Sequence, residues 1–161
     1  MVEAVKLGER LLRAGLERAE IAPEQVTTLI VVSCTGFNVP GLDLLLAGRL
    51  GMRPDLSRTC VLGMGCYGAF PAVRRAWESV RVQPNGLALV LALELCSLHL
   101  QFDDSVETAV STSLFADGAG MMLLGNGGSA ATGPKLIDAE TYCDYQTLDH
   151  MTFTVTDEGF R

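Results

Sequence analysis

The sequence predicts an α/β fold, because short apolar runs typical of buried strands alternate with segments of helical periodicity. Thr28–Ser33 and Leu87–Leu93 are apolar runs rich in β-branched or leucine side chains, and each is bounded by a turn. Runs of this kind are typical of strands that are covered on both faces. Val2–Ala19 and Ala69–Val82 instead place apolar side chains on one helical face and charged side chains on the other.

Turn residues separate the predicted elements in the first part of the chain. Pro23 and Glu24 indicate a turn between the first helix and the first strand, and Cys34–Gly41 is predicted to be a loop. Leu42–Leu50 carries leucines at helical spacing and ends before a glycine, so it is predicted to be a helix. Thr59–Leu62 is predicted to be a short strand that leads into a glycine-rich turn.

The later elements follow the same alternation. Pro71 is compatible with the helix Ala69–Val82 because it falls in the first turn, where a backbone N–H has no helical partner. Val106–Phe115 is predicted to be a helix rich in small residues, and Gly118–Gly125 another buried strand. Lys135–Tyr142 is predicted to be a more polar strand.

Composition excludes several classes of protein. The chain has 161 residues, which matches one domain, and 48% hydrophobic against 19% charged residues excludes disorder as the main state. The formal net charge of −7 argues against a partner with a phosphate backbone, so no nucleic-acid partner is predicted. Charged residues interrupt the N-terminal helix, and the longest apolar run is Leu87–Leu93. We therefore expect neither a signal peptide nor a membrane span, and a cytoplasmic protein.

The cysteine pattern indicates neither a disulfide framework nor a metal site. The count is odd and no pair has the spacing of a zinc motif. The five cysteines are Cys34, Cys60, Cys66, Cys96 and Cys143. His99 and His150 do not complete a zinc set with them, so no metal is predicted. As a group these cysteines are expected to be reduced and mostly buried.

Cys66 has the most distinctive setting, in a glycine-rich turn, Gly63–Ala69, between a predicted strand and a predicted helix. Flanking glycines allow a sharp bend that exposes the side chain, as in a nucleophile elbow. The start of a helix favours a thiolate, which can attack a thioester while the backbone N–H of Cys66 donates to the oxyanion. The alternative is a small core cysteine in a tight turn. Neither histidine is an obvious base, since His99 is expected to be a lining or hydrogen-bonded core residue and His150 a surface residue.

Four motifs occur in order and at the spacing of one family. They are CTGFNVPGLD (Cys34–Asp43), GMGCYGAF (Gly63–Phe70), ELCSLH (Glu94–His99) and SLFADGAG (Ser113–Gly120). With them the chain resembles the type III polyketide synthases of the chalcone/stilbene synthase family, especially the bacterial members. The resemblance implies the thiolase-like layered αβαβα fold. Because full-length members are much longer, residues 1–161 are expected to be a partial N-terminal domain, the N-terminal half only, with the C-terminal domain absent.

The resemblance also implies a reaction. Family members load an acyl-CoA starter on a cysteine, decarboxylate malonyl-CoA and join the two by Claisen condensation, with CoA thioesters as substrates and no other cofactor. Cys66 matches the acyl-bearing cysteine. Phe115 matches a phenylalanine that separates the CoA tunnel from the reaction cavity, where an apolar face desolvates the carboxylate and favours loss of CO2. General burial statistics leave a plain core role open for Phe115.

Further positions are matched to the cavity of the family. Cys34, Cys96 and His99 match cavity-shaping positions, although Cys34 is nearly as consistent with an inert loop thiol. Phe153 matches a second gatekeeper phenylalanine. Val39 matches a residue that in plant members reaches into the partner's cavity, and a homodimer is expected for the full-length protein.

The family's catalytic histidine and asparagine, and the cationic residues that bind the CoA phosphates, lie beyond the equivalent of Arg161. The chain alone is therefore expected to be catalytically incompetent. ELCSLH and the shortage of aromatic residues in the cavity motifs favour an aliphatic starter and an alkylpyrone or alkylresorcinol product. Two alternatives are another condensing enzyme, such as a β-ketoacyl-ACP synthase III, and a non-catalytic half-domain that associates through an exposed edge at Leu87–Leu93.

Overall fold

The computed structural model describes residues 1–126 and 133–150, together with residues 152, 154–156 and 159–160. Helices and strands alternate along the chain, as predicted. The α-helices are α1 (Val2–Arg18), α2 (Leu42–Leu50), α3 (Ala69–Val82) and α4 (Val106–Leu114). The main sheet contains β1 (Thr28–Ser33), β2 (Ser57–Leu62), β3 (Leu87–Glu94) and β4 (Gly118–Gly125). Two shorter strands, β5 (Val155–Thr156) and β6 (Gly159–Phe160), pair with each other.

The main sheet has the strand order β2-β1-β3-β4. β1 runs parallel to both of its neighbours, with Val31 opposite Cys60 of β2 on one side and Leu91 of β3 on the other. β4 is antiparallel to β3. The carboxyl ends of β1, β2 and β3 therefore meet at one edge of the sheet, and the segments that follow them meet there too.

Helices cover both faces of the sheet, because side chains alternate between the two faces along a strand. Leu29 and Val31 of β1 lie in a core cluster with residues of α1 and α2, whereas Ile30 and Val32 lie in a second cluster with residues of α3. All six residues of β1 are buried. Since burying a valine or leucine side chain contributes about 1.5–3 kcal/mol, β1 anchors both layers of the core.

Most of the predicted elements are confirmed. β1, α2, α3 and β4 have the predicted bounds, α1 and α4 each end one residue earlier, and β3 ends one residue later. β2 begins at Ser57, two residues before the prediction, because Ser57 pairs with Thr28 in the register of the two strands. Within the described residues, no helix combines the length and the apolar character that crossing a bilayer requires.

Three predictions about strands are wrong. Lys135–Tyr142 forms no strand, since its mostly exposed residues join neither sheet. Gly118–Gly125 is a strand but is not buried, because β4 lies at the end of the sheet and several of its residues contact solvent. Leu87–Leu93 is not an exposed edge, because β3 pairs with β1 on one side and with β4 on the other.

We predict that Gly68→Ala destabilises the fold, because an added Cβ would lie 2.8 Å from Cγ1 of Val32, a buried and stiff side chain of β1. Overpacking of this kind costs about 1–3 kcal/mol. Gly48→Ala in α2 is the matched control, because a Cβ there meets nothing within 4 Å. Alanine in a helix interior stabilises by about 0.5–1 kcal/mol relative to glycine. Urea unfolding of the two variants measures both effects, and equal midpoints would contradict the close approach at Gly68.

Candidate functional site

Cys66 is presented on a sharp bend between β2 and α3. A 3-10 turn, Gly65–Gly68, follows β2 and runs directly into α3. Gly63 and Gly65 have φ angles of 68° and 57°, in the left-handed region that favours glycine. The thiol of Cys66 is solvent-exposed. The predicted bend is thus confirmed in its geometry, and the alternative of a core cysteine does not fit the exposure.

The loop after β1 approaches this bend. Cys34, the first residue of the loop, is half-buried, and its Sγ lies 3.9 Å from the carbonyl oxygen of Gly65. Parallel pairing explains the approach, because β1 and β2 end side by side and their following segments leave the same edge. The residue before Cys66 is therefore in direct contact with the loop that carries Cys34 and Val39.

The carboxylate of Glu94, at the end of β3, holds the start of this loop. It accepts hydrogen bonds from the backbone N–H of Cys34, at 2.8 and 3.0 Å, and from that of Thr35, at 2.9 Å. It also accepts from the hydroxyl of Thr35 at 2.6 Å and from that of Ser33 at 3.4 Å. Sequence analysis did not assign a role to Glu94 or Thr35. The sequence did contain a signal for Glu94, because this carboxylate directly follows the buried apolar run Leu87–Leu93.

The segment after β3 forms a second 3-10 turn, Cys96–His99, beside the same loop. Nε2 of His99 lies 2.6 Å from the carbonyl oxygen of Thr35, so His99 is hydrogen-bonded as predicted, but it is half-buried rather than part of the core. Partial burial, followed by the negative charges of Glu94 and Asp117 and a smaller contribution from Cys66, raises the pKa of the Cys96 thiol. Cys96 therefore stays protonated to higher pH than an ordinary cysteine, which suits a lining residue better than a nucleophile.

Asp117 joins this turn to the segment that carries Phe115. Its carboxylate accepts from the backbone N–H of Ser97 at 2.8 Å and from the hydroxyl of Ser97 at 2.7 Å. These two hydrogen bonds lower the pKa of Asp117, so the carboxylate keeps its charge at neutral pH. Phe115, at the end of α4, is 39% exposed, which disagrees with a plain core role.

The remaining predicted site residues are less closely tied to the bend. Val39 lies on the loop after β1 beside a cis Val39–Pro40 bond, and it is 80% exposed. His150 is exposed, as predicted for a surface residue. Phe153 lies outside the described residues. No group of His, Cys, Asp and Glu that could hold a metal ion occurs among the residues that the structure describes.

The expectation that the cysteines are mostly buried is wrong. All five are free thiols; Cys60, Cys66 and Cys143 are exposed, and Cys34 and Cys96 are half-buried. The physical reason is their position. Cys34, Cys66 and Cys96 follow the carboxyl ends of β1, β2 and β3, Cys60 lies in β2 at the end of the sheet, and Cys143 lies outside the helices and strands.

A small apolar cavity of about 120 Å³ lies on the α1 and α2 side of the sheet, at the same edge. Its apolar lining residues include Val31, Leu62, Leu93, Leu95 and Phe37. Ser33 and Thr35 also line the cavity, whereas Cys34 between them contacts the bend at Gly65. The start of the loop therefore separates the cavity from the Cys66 bend.

Comparison with known proteins gives consistent matches. Residues 1–128 match the family model for chalcone and stilbene synthases, N-terminal domain. The chain is 34% identical over 158 residues to 1,3,6,8-tetrahydroxynaphthalene synthase of Streptomyces peucetius subsp. caesius, a match that covers 96% of this chain and 42% of that protein. It is 34% identical over 122 residues to the alpha-pyrone synthesis polyketide synthase-like protein Pks18 of Mycobacterium tuberculosis, covering 76% of this chain and 31% of that protein.

The fold is also similar to a solved structure. It superposes on the crystal structure of 1,3,6,8-tetrahydroxynaphthalene synthase from Streptomyces coelicolor, a bacterial type III polyketide synthase, with a TM-score of 0.91 and 29% identity. The superposition covers 99% of this chain and 45% of that one. It confirms the predicted thiolase-like α/β fold, and this chain spans less than half the length of the proteins that it matches.

We predict that Cys60 is a slowly alkylated thiol although it is exposed. Partial desolvation and a hydrogen bond to the carboxylate of Asp43 raise the pKa of Cys60 to about 11. Because the thiolate is the reactive form, the alkylation rate should rise about tenfold per pH unit until that value is reached. Asp43→Asn should lower the pKa and speed alkylation at pH 8, with Asp55→Asn as the control. Peptide mass mapping after iodoacetamide measures the rate, and a plateau near the ordinary value of 9.0 would contradict the assignment.

Proposed function

The chain belongs to the chalcone and stilbene synthase family, and from this membership we propose that it is the nucleophile-bearing part of a type III polyketide synthase, an acyltransferase. The observation that carries the proposal is the presentation of Cys66 on an exposed bend that runs into α3, directly after two left-handed glycines, Gly63 and Gly65. A bend of this kind leaves the sulfur accessible to a substrate, and it lies close to the start of a helix, where backbone N–H groups lack helical partners.

The proposed reaction has two stages. The Cys66 thiolate attacks the carbonyl carbon of an acyl-CoA, the oxyanion collapses, and CoA leaves as its thiolate, so the acyl group is held as a thioester. Malonyl-CoA then loses CO2, and the resulting enolate attacks this thioester to form a carbon–carbon bond, which releases the Cys66 thiolate. No cofactor is required besides the CoA thioesters themselves. The backbone N–H of Cys66 is proposed as one donor to the oxyanion of the first stage.

The other predicted residues are proposed to line the path of the substrate. Phe115 and Phe153 are proposed to separate the CoA tunnel from the cavity, and Cys34, Cys96 and His99 to shape the cavity. The raised pKa of Cys96 and the hydrogen bond of His99 to Thr35 support roles that do not include nucleophilic attack. The exposure of Val39 supports its proposed place at the interface of a homodimer, where it would reach the partner's cavity.

An aliphatic starter is the proposed substrate, with an alkylpyrone or alkylresorcinol as the product. One observation supports it. The name of the relative Pks18 includes the words alpha-pyrone synthesis.

A β-ketoacyl-ACP synthase III-like enzyme is the alternative within the same chemistry, and it differs in taking its extender from malonyl-ACP. A non-catalytic half-domain that associates through an exposed edge at Leu87–Leu93 is less well supported, because β3 is enclosed between two strands. A binding module should also keep its function in Cys66→Ala, whereas an acyl-loading enzyme should lose its loading activity.

We predict that Cys66 is the site of acyl loading in the full-length protein. Incubation with a long-chain acyl-CoA should add the mass of one acyl group, and Cys66→Ala should abolish the addition because, among the described residues, no other thiol lies on a turn that runs directly into an α-helix. Cys143→Ala is the matched control, because Cys143 is also an exposed free thiol but lies outside the helices and strands. Intact-protein mass spectrometry reads the result. Loading that survives in Cys66→Ala would contradict the proposal.

We further predict that the 161-residue chain releases no polyketide by itself. Nε2 of His99 is held by Thr35 and His150 is exposed, so neither is placed as the base that activates Cys66. The chain and the full-length protein are compared with fatty acyl-CoA and either malonyl-CoA or malonyl-ACP, and pyrones are measured by chromatography. Product from the short chain at the full-length rate would refute this prediction, and a preference for malonyl-ACP would favour the alternative enzyme.

A further inference from the structure

Every polar atom of Thr35 takes part in a hydrogen bond. Its N–H donates to Glu94 at 2.9 Å, and its hydroxyl donates to Glu94 at 2.6 Å while accepting from the N–H of Leu95 at 2.8 Å. Its carbonyl oxygen lies 2.6 Å from Nε2 of His99. One residue of the loop after β1 is thus joined to three residues at or after the end of β3.

We propose that Glu94 and Thr35 are positioning residues, which fix the loop Cys34–Gly41 and thereby hold Cys34 against the Cys66 bend. The proposal rests on the proposed function for its catalytic consequence, but the geometry of the clamp does not depend on it. The clamp is defined as the hydrogen bonds that join Glu94 to Ser33, Cys34 and Thr35, together with those that join Thr35 to Leu95 and His99.

The chemistry of the clamp requires a carboxylate. Two oxygens of Glu94 accept from two backbone N–H groups and two hydroxyls, and hydrogen bonds to a charged acceptor are stronger than neutral ones. Glutamine has the same shape but only one acceptor oxygen, and its amide N–H groups would face the donors of Cys34 and Thr35. Glu94→Gln therefore weakens the Glu94 part of the clamp with little change in volume, and leaves the hydrogen bonds of Thr35 to Leu95 and His99.

The rest of the loop depends on this attachment. Phe37 is 77% exposed and Val39 is 80% exposed, so little burial stabilises the middle of the loop. Its first residue, in contrast, contacts the bend through the thiol of Cys34 and the carbonyl of Gly65. Release of the clamp should therefore expose Cys34 and loosen the support of the peptide that precedes Cys66.

The test uses the cysteines of the chain as probes. Alkylation by N-ethylmaleimide is followed at each cysteine by peptide mapping in Glu94→Gln, Thr35→Val and Thr35→Ser. Glu78→Gln is the matched control, because Glu78 is a carboxylate on the surface of α3 paired with Arg74 and Arg75. Cys34 should react about tenfold faster or more in Glu94→Gln and Thr35→Val, the effect of losing a charged hydrogen bond. It should keep the wild-type rate in Thr35→Ser, which retains the hydroxyl, and in Glu78→Gln.

Cys60 is the internal reference for general unfolding, because partial burial and the carboxylate of Asp43 raise its pKa in the folded chain, and unfolding would remove both effects and speed its alkylation. An unchanged rate at Cys34 in Glu94→Gln and Thr35→Val would overturn the proposal. So would equal acceleration of Cys34 and Cys60, which indicates general unfolding, or a Thr35→Ser variant that behaves as Thr35→Val. If Glu94→Gln does not fold, the two Thr35 variants decide the question on their own.

The catalytic consequence is measured separately in the full-length protein. At saturating acyl-CoA, Glu94→Gln should load Cys66 more slowly than the wild type, with a smaller change in the acyl-CoA concentration that gives half the maximal rate. A normal loading rate combined with a released Cys34 would overturn the positioning role. Failure of the wild-type protein to load would instead refute the proposed function and leave the thiol mapping of the clamp valid.

Discussion

Parallel pairing of β1 with both β2 and β3 is the constraint on which the site depends. It brings three carboxyl ends to one edge of the sheet, where open α/β sheets place their ligands. The segments that follow these strands carry Cys34, Cys66 and Cys96, which are far apart in the sequence. Because β1 is buried on both faces and lies between the other two strands, any loss of its packing would move all three segments together.

Local environment raises the pKa of two thiols near the site. Partial desolvation, together with the neighbouring carboxylates, disfavours the thiolates of Cys60 and Cys96 and keeps both thiols protonated at neutral pH. The same acidic side chains are also structural, because Glu94 and Asp117 satisfy backbone N–H groups of the loops around the site.

The strands and helices were predictable to within one or two residues where local signals were strong. β1 and α3 were assigned correctly because apolar runs and helical periodicity are properties of adjacent residues. Lys135–Tyr142 was assigned incorrectly, because alternation in a polar segment does not supply a neighbouring strand with which to pair. The bend at Cys66 was predictable from its flanking glycines, whereas the exposure of the cysteines was not, since it depends on where the strands end in space.

The sequence by itself determined the α/β alternation, the position of the bend at Cys66 and, through four motifs, the family. These are local patterns, and each can be read from a window of a few residues. Only the tertiary structure decided that β3 lies inside the sheet, that β4 lies at its end, and that Glu94 binds the loop that begins sixty residues earlier. Such contacts depend on strand order and register, which bring distant residues together and produce no periodic pattern in the sequence.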